Sequence, residues 1–161
     1  MDTIQLRAQA KLGKNVQLIP PVHPHIFSSE PYLITIGDNT TISFDTVFIT
    51  HCGETRVLRN LAKTEKEKQT VIYKRITVGK NCFIGCRCVI LPGVNIGDNC
   101  IVGAGSIVTK DLPSNTVCCG NPCKVVCTLD EYRRKHDSEF MYCVRLPYDQ
   151  KKKYLEEYLK I

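Results

Sequence analysis

The chain has 161 residues, 43% of them hydrophobic and 24% charged, which fits a single domain with one core. No stretch approaches the roughly 20 apolar residues of a membrane span, and the N-terminal sequence lacks the apolar segment of a secretory signal, so we expect neither. The net charge of +6 would suit nucleic acid, but no basic patch is interleaved with aromatic residues, and a small polyanionic ligand accounts for the charge as easily.

The main feature along the chain is an aliphatic residue at every sixth position. The count starts at Leu12 and is clearest between Val78 and Val108. A period of six matches neither the 3.6 of a helix nor the 2.0 of a flat strand, and it is typical of a parallel β-helix. With three hexads per coil, the predicted architecture is an all-β triangular prism. The predicted inward anchors are Leu12, Leu18, Ile36, Ile42, Phe48, Val78, Ile84, Ile90, Ile96, Val102 and Val108.

A second set of small or apolar residues lies four positions after the anchors, and we predict that these side chains also point inward. Glycine often follows an anchor directly, as at Gly79 and Gly97, which suggests a sharp turn or a positive φ there. The second set consists of Thr40, Thr46, Cys52, Cys82, Cys88, Val94, Cys100, Ser106 and Leu112.

Two segments interrupt the repeat. Pro24 and Glu30 break it first, which predicts a looped-out corner over about residues 20–30. The second segment has no anchors and is dense in charge, which predicts a long loop projecting from the coil over about residues 53–75. The phase resumes at Val78. Because the repeat itself is regular, we expect these interruptions to hold the residues that determine specificity.

Helical patterns replace the repeat near the C-terminus, which predicts a β-helix domain over residues 1–127 and a helical extension over residues 128–161. Thr128 and Glu131 form a capping box that opens a short first helix. A second helix is predicted from near Tyr148, where two Lys–Glu pairs at i,i+4 support it.

Ten cysteines suggest a disulfide scaffold at first sight, but the repeat accounts for several of them as small inward residues. Cys82, Cys88 and Cys100 all fall on such positions. We therefore expect reduced thiols and a cytoplasmic protein. The sequence has no Cys-x-x-Cys pair, so we expect no metal site.

Among the four histidines, His51 is the strongest candidate for chemistry. The hexad count places Phe48 and Cys52 inward, so His51 points outward at the mouth of the long loop. An imidazole there can act as a general base near neutral pH, although a solvated surface histidine fits the spacing alone. The opposite directions of His51 and Cys52 argue against a Cys–His nucleophile. The other histidines have no predicted catalytic or metal-binding role: His23, His25 and His136.

Two stretches within residues 12–127 resemble a known family, the left-handed β-helix, hexapeptide-repeat acetyltransferases. They are CFIGCRCVILPGVNIGDNCIVGAGSIVTKDLPSNTVCCGNPCKVV and EPYLITIGDNTTISFDTVFITHCGETRVLR. The resemblance is strongest to the maltose, galactoside and xenobiotic acetyltransferase branch and to capsular-polysaccharide O-acetyltransferases. It implies a left-handed coil, whereas the rule for βαβ crossovers would give a right-handed one.

The resemblance also implies a function. Acetyl-CoA would be the cosubstrate, a hydroxyl of a sugar or saccharide the acceptor, and His51 the general base in a ternary complex. The protein would be a homotrimer with its active sites between subunits. No covalent enzyme intermediate is required.

The donor contacts implied by the resemblance fall in the second half of the chain. Gly103 and Ala104 match the backbone that lies along the pantetheine arm, and Thr109 and Lys110 match a pair near the nucleotide end. Lys124 matches a basic residue at the CoA phosphates, where charge-assisted hydrogen bonds are strong.

Three cysteines depart from the family pattern. Cys86 lies near the thioester, where the family often has Ser, Ala or Asn, and Cys127 replaces a second basic residue found in some members. Cys52 replaces the usual Asp after the base, which leaves open which group orients the imidazole. Asp45 and Glu54 are the candidates for that role.

Three other functions remain possible on the same prism. One is an N-acetyltransferase of a nucleotide-linked amino sugar. Another is a metal-dependent hydratase like the γ-class carbonic anhydrases, which needs three wall histidines where only His51 is predicted. The last is a non-catalytic scaffold. The presence of His51 together with Lys110 and Lys124 argues against this function.

Overall fold

A computed structural model describes residues 10–160. The chain divides into two compact units, Met1–Asp130 and Glu131–Ile161. The first unit contains thirteen short strands among the described residues. They are β1 (Lys11–Leu12), β2 (Gln17–Leu18), β3 (Ile34–Ile36), β4 (Thr41–Ile42), β5 (Val47–Phe48), β6 (Ile76–Val78), β7 (Phe83–Ile84), β8 (Val89–Ile90), β9 (Asn95–Ile96), β10 (Ile101–Val102), β11 (Ile107–Val108), β12 (Thr116–Cys119) and β13 (Lys124–Thr128).

The strands form three sheets that the chain visits in turn. The first sheet has the order β1-β3-β6-β9, the second β2-β4-β7-β10-β12-β13 and the third β5-β8-β11. All neighbours are parallel except β12 and β13. Phe83 pairs with Ile101, which lies three hexads further along the chain, so one coil consists of three hexads. The predicted three-sided stack of parallel coils is therefore present.

The interior is built from the two predicted sets of residues. The anchors between Val78 and Val108 are all buried, and so are the small or apolar residues that follow them between Cys82 and Leu112. All ten cysteines are free thiols. Burial raises the pKa of the Cys88 thiol, which keeps it neutral, as suits a small apolar side chain in a core.

The glycines after the anchors serve a different purpose from the one predicted. A Cβ added to Gly79 would lie 2.6 Å from the carbonyl carbon of Gly97 on the next coil, so glycine is needed for close approach between coils. The positive φ values belong instead to asparagines two residues later, such as Asn81 and Asn99. Asn81 Nδ2 donates to Asn99 Oδ1 at 2.9 Å, so these corners are tied together from coil to coil.

The long loop is an insertion into one coil. Phe48 pairs with Ile90, which lies seven hexads further along the chain, whereas one coil accounts for only three. The insertion contains a short helix, α1 (Thr55–Asn60), and a 3-10 turn (Glu67–Gln69). Because the extra length is a whole number of hexads, the repeat resumes in phase.

The predicted looped-out corner over residues 20–30 is wrong in its second half. Ile26 and Phe27 are buried, and Phe48 N–H donates to the Ile26 carbonyl at 2.8 Å. The ring of Phe27 lies 5.5 Å from that of Phe48. This segment has no strand, yet it fills the third side of the first coil, which the apolar pair makes favourable.

The coil ends in a way that the repeat did not predict. β13 returns antiparallel along β12, so the last edge of the second sheet is covered by a hairpin. A helix, α2 (Leu129–His136), starts at the residue after Thr128, as the capping box predicts.

The second unit contains most of α2, a 3-10 turn (Asp137–Glu139) and α3 (Tyr148–Leu159). The two predicted pairs on α3 are present, Lys152–Glu156 at 3.7 Å and Lys153–Glu157 at 3.9 Å. Over residues 10–160, no helix is long and apolar enough to cross a membrane.

Candidate active site

His51 lies where the third sheet ends and the insertion begins. It forms an antiparallel bridge with Tyr73, so the two ends of the insertion are held together at the wall of the coil. Its side chain is 34% exposed and opens into a cleft of about 500 Å³. The cleft is lined by Ile49, His51, Cys52, Gly53, Glu54, Leu91, Pro92 and Thr109. The outward direction predicted for His51 is confirmed.

The imidazole is held by a carboxylate, Glu30. His51 Nδ1 lies 3.0 Å from Glu30 Oε2, and the Glu30 side chain is only 14% exposed. The buried Thr50 hydroxyl donates to the same oxygen at 2.6 Å. Burial opposes ionisation of Glu30, but the hydrogen bonds from Thr50, Ser29 and His51 outweigh it and hold the pKa of this carboxyl below its ordinary value.

The tautomer of the neutral imidazole follows from that carboxylate. An ionised carboxylate only accepts hydrogen bonds, so His51 Nδ1 carries the proton and donates to Glu30. The neutral ring then has its lone pair on Nε2. This is the tautomer that a general base facing a cleft requires.

Neither residue predicted to orient His51 does so. Asp45 lies 3.8 Å from Arg87 instead, and Glu54 interacts with Cys52. Glu30 was missed because it lies far from His51 in sequence, outside the hexad that contains the base. The available signal was that a charged residue interrupts an apolar repeat, which indicates a polar side chain held by a specific partner.

The inward direction predicted for Cys52 is also wrong. Thr50 is the fully buried residue at this corner, while Cys52 lines the cleft beside His51. The chain leaves the repeat here, since Cys52 N–H donates to the Ile72 carbonyl of the insertion. Burial, followed by the effect of Glu54, raises the pKa of the Cys52 thiol. A thiol kept neutral in this way is a poor nucleophile.

Thr109 belongs to the same cleft as His51. Ile49 N–H donates to the Ile90 carbonyl, and Leu91 N–H donates to the Val108 carbonyl. Ile49, Leu91 and Thr109 therefore occupy one position on successive coils. Lys110 follows Thr109 and is exposed.

The remaining predicted donor contacts form a second cluster, at the corner between the second and third sheets. Gly105 N–H donates to the Cys86 carbonyl at 2.8 Å, which stacks Cys86 on Ala104. A Cβ added to Gly103 would lie 2.8 Å from Cys119 Cβ. Cys119 pairs with Lys124 across the terminal hairpin. Cys119 therefore covers Gly103, whereas a Cβ added to Gly105 would meet no atom within 4 Å and Ala104 is exposed, so the open part of this corner is Ala104–Gly105.

The two clusters lie at opposite edges of the third sheet. One full hexad of extended chain separates Cys86 from Pro92 of the His51 cleft, a span of roughly 20 Å. A single chain therefore does not bring His51 and Ala104 to one reacting centre.

The other histidines do not line the cleft of His51. The rings of His23 and His25 lie 5.6 Å apart in the first coil, and His136 Nδ1 lies 2.8 Å from Glu139 Oε2. Between Ala10 and Lys160, no group of three or more His, Cys, Asp or Glu side chains is placed to bind a metal ion.

Comparison with known proteins finds one family. The family model "Hexapeptide repeat of succinyl-transferase" matches residues 75–110. Protein CapG of Staphylococcus aureus is 43% identical over 129 residues, covering 80% of this chain and 72% of that protein. Galactoside O-acetyltransferase of Escherichia coli K12 is 36% identical over 144 residues, covering 79% of this chain and 67% of that protein. A maltose O-acetyltransferase structure from Clostridium difficile 630 has a TM-score of 0.54 at 27% identity, covering 76% of this chain and 72% of that structure's chain.

The similarity to the two sequence relatives extends well beyond the segment that the family model matches. The family model covers about two coils, whereas the two sequence relatives each match about four fifths of this chain. The matched solved structure is an acetyltransferase with a similar fold. The chain therefore belongs to the hexapeptide-repeat acetyltransferase family.

Proposed function

We propose that the protein transfers an acetyl group from acetyl-CoA to a hydroxyl of a saccharide, with His51 as the general base. The observation that carries the proposal is the His51–Glu30 contact of 3.0 Å at the edge of an open cleft. It leaves Nε2 free to accept a proton. Two relatives are named as O-acetyltransferases of sugars, galactoside and maltose, which favours a sugar hydroxyl over an amine.

The reaction is a direct transfer within a ternary complex. His51 Nε2 takes the proton of the acceptor hydroxyl as its oxygen attacks the thioester carbonyl carbon. Backbone N–H groups stabilise the oxyanion of the tetrahedral intermediate. The C–S bond then breaks, and the CoA sulfur leaves with the proton from His51. Glu30 stabilises the imidazolium that exists between these two proton transfers.

The donor is proposed to bind along the second cluster. Cys86 then lies at the thioester, and the backbone of Gly103 and Ala104 runs along the pantetheine arm. Thr109 lies outside this cluster, in the His51 cleft, so the place of Thr109 and Lys110 near the nucleotide stays a prediction. Lys124 pairs with a CoA phosphate. The exposed Lys124 and Ala104 and the open backbone at Gly105 support this assignment. Acetyl-CoA as donor, together with ten free thiols, also supports a cytoplasmic location.

The active site is proposed to lie between subunits of a homotrimer of left-handed coils. The roughly 20 Å between the His51 cleft and the Cys86 corner supports this arrangement, because the two groups can meet only when the edge of one third sheet faces the opposite edge on a neighbouring chain. Proximity of bound donor and acceptor then lowers the barrier by several kcal/mol.

Mixing two inactive variants tests the shared site. His51→Ala removes the base, and Ala104→Phe blocks the donor channel. We expect each variant alone to be inactive, and a refolded mixture to recover activity, because some interfaces then combine an intact His51 with an intact Ala104. A mixture as inactive as its components would place both residues in one subunit's site and contradict the arrangement.

The reaction itself is tested by incubating the protein with acetyl-CoA and a panel of saccharides. Release of free CoA thiol is followed together with the mass of the product. We expect an ester, which mild base cleaves. A base-stable amide product would show that the acceptor is an amine, and no binding of acetyl-CoA in a thermal-shift assay would support the scaffold function instead.

A further inference from the structure

Most of the net charge of the chain lies in the insertion (residues 53–75). It has seven basic and three acidic side chains, a net charge of +4 out of +6. Two of its three carboxylates are already engaged inside the insertion, Glu65 with Lys68 at 2.6 Å and Glu67 with two backbone N–H groups. Within residues 10–160, its other six basic residues form no ion pair. They are Arg56, Arg59, Lys63, Lys66, Lys74 and Arg75.

One of these cations has an unsatisfied donor. In the part of the chain that the structure describes, Arg59 Nε is shielded from solvent and has no hydrogen-bond partner. A shielded N–H group without a partner is costly. Arg59 as a whole is only half-buried, and an anionic oxygen is the preferred partner of a guanidinium. Arg59 lies one turn after Thr55, on the same face of α1. Thr55 is buried, and its hydroxyl donates to the carbonyl of Cys52, which lines the cleft with His51.

The end of the insertion places an exposed aromatic ring beside the base. The ring centroid of Tyr73 lies 5.9 Å from that of His51, at 58°, and the residue is 52% exposed. Backbone hydrogen bonds on both sides of Tyr73, from Cys52 to Ile72 and from Lys74 to Thr50, fix its position. A rigid, half-exposed aromatic ring is suited to hold the apolar face of a sugar.

On the basis of the proposed acetyl transfer, we infer that the acceptor is an anionic saccharide. Its sugar ring packs on Tyr73, and its carboxylate or phosphate is bound by the cations of the insertion, with Arg59 as a direct contact. A uronic acid and a sugar phosphate share this chemistry. The insertion therefore acts as the acceptor subsite, and the repeat holds the donor.

Direct binding tests the inference without depending on turnover. Calorimetry compares a neutral oligosaccharide, its uronic-acid counterpart and a sugar 1-phosphate, each added to the intact protein. We expect at least one anionic ligand to bind about tenfold more tightly than the neutral one at low salt, and added salt to reduce the difference. Which anionic ligand binds more tightly distinguishes carboxylate from phosphate. Equal affinities for all three overturn the inference.

Variants of the insertion then test which residues form the acceptor subsite. Arg59→Gln and Lys74→Gln are expected to raise the KM for the anionic acceptor about tenfold. Tyr73→Ala is expected to raise the KM for neutral and anionic saccharides alike. KM for acetyl-CoA is expected to stay unchanged in all of them. Lys11→Gln, which removes an exposed cation from β1, is the control for net charge and should behave as wild type.

The inference and the proposed function fail in different ways. If the cations of the insertion bind the CoA phosphates instead, Arg59→Gln and Lys74→Gln will raise the KM for acetyl-CoA and leave the acceptor KM alone, which overturns the inference only. Anionic ligands that bind as expected but are never acetylated contradict the proposed function and leave the subsite in place. Thermal melting of each variant confirms that it is folded.

Discussion

His51→Ala is expected to lower kcat for acetyl transfer by roughly two to four orders of magnitude, which is the usual contribution of a positioned general base. The variant should still fold, because the His51 side chain is one third exposed and contributes little to the core. Steady-state release of free CoA thiol, at saturating acetyl-CoA and acceptor, measures the effect.

A matched control separates the base from histidines in general. His25 is exposed in the first coil, and His25→Ala should keep wild-type kcat. Acetyl-CoA should stabilise His51→Ala against thermal unfolding as much as it stabilises the wild type, since the proposed donor contacts are intact. Turnover within a few fold of wild type in His51→Ala would mean that another group removes the proton.

The three-sided coil was predictable because each of its features depends on a local rule repeated many times. Every anchor from Val78 to Val108 faces the same environment, so one count of six predicts the direction of each side chain. The cysteines of the core followed from the same count, and every cysteine in the described part of the chain is a free thiol.

The candidate site was only partly predictable, because it lies where the repeat is interrupted. His51 could be found from its phase, and the resemblance to a family of acetyltransferases gave it a role. The direction predicted for the Cys52 side chain was wrong because a backbone hydrogen bond from Cys52 to Ile72 takes the chain out of the repeat one residue after His51. Such pairings depend on how the insertion folds, and no periodic rule describes them.

The contact between Glu30 and His51 could not be predicted for the same reason. Its partnership with His51 depends on Ile26 and Phe27 filling the third side of the first coil. That packing brings two side chains that are distant in sequence into contact. The sequence shows an apolar pair close to a carboxylate that interrupts the repeat. The contact between Glu30 and His51, however, depends on tertiary packing.

Glu30→Gln is expected to lower kcat roughly ten- to hundredfold, because a hydrogen bond to a charged group contributes about 1.5–3 kcal/mol. The amide replaces the shape of the carboxylate but not its charge, so the imidazolium formed during transfer loses its partner. An amide NH₂ facing Nδ1 would also favour the wrong tautomer. KM for acetyl-CoA and for the acceptor should stay close to wild type, because Glu30 is proposed to contact neither substrate.

The pH dependence of stability separates an ionised Glu30 from a merely well-packed one. Since folding lowers the pKa of this carboxyl from an ordinary value of 4.5, its ionisation stabilises the folded state above that pH. The stabilisation is lost as the pH falls through the folded value. Wild type should therefore be more stable than Glu30→Gln at pH 7, and urea denaturation should show the difference shrinking below pH 4.5. A difference that does not change with pH would mean that folding leaves the pKa of Glu30 unchanged. A difference that shrinks as the pH rises through 4.5 would mean that Glu30 is protonated in the folded protein, and His51 would then lack the anionic partner on which its role as a base depends.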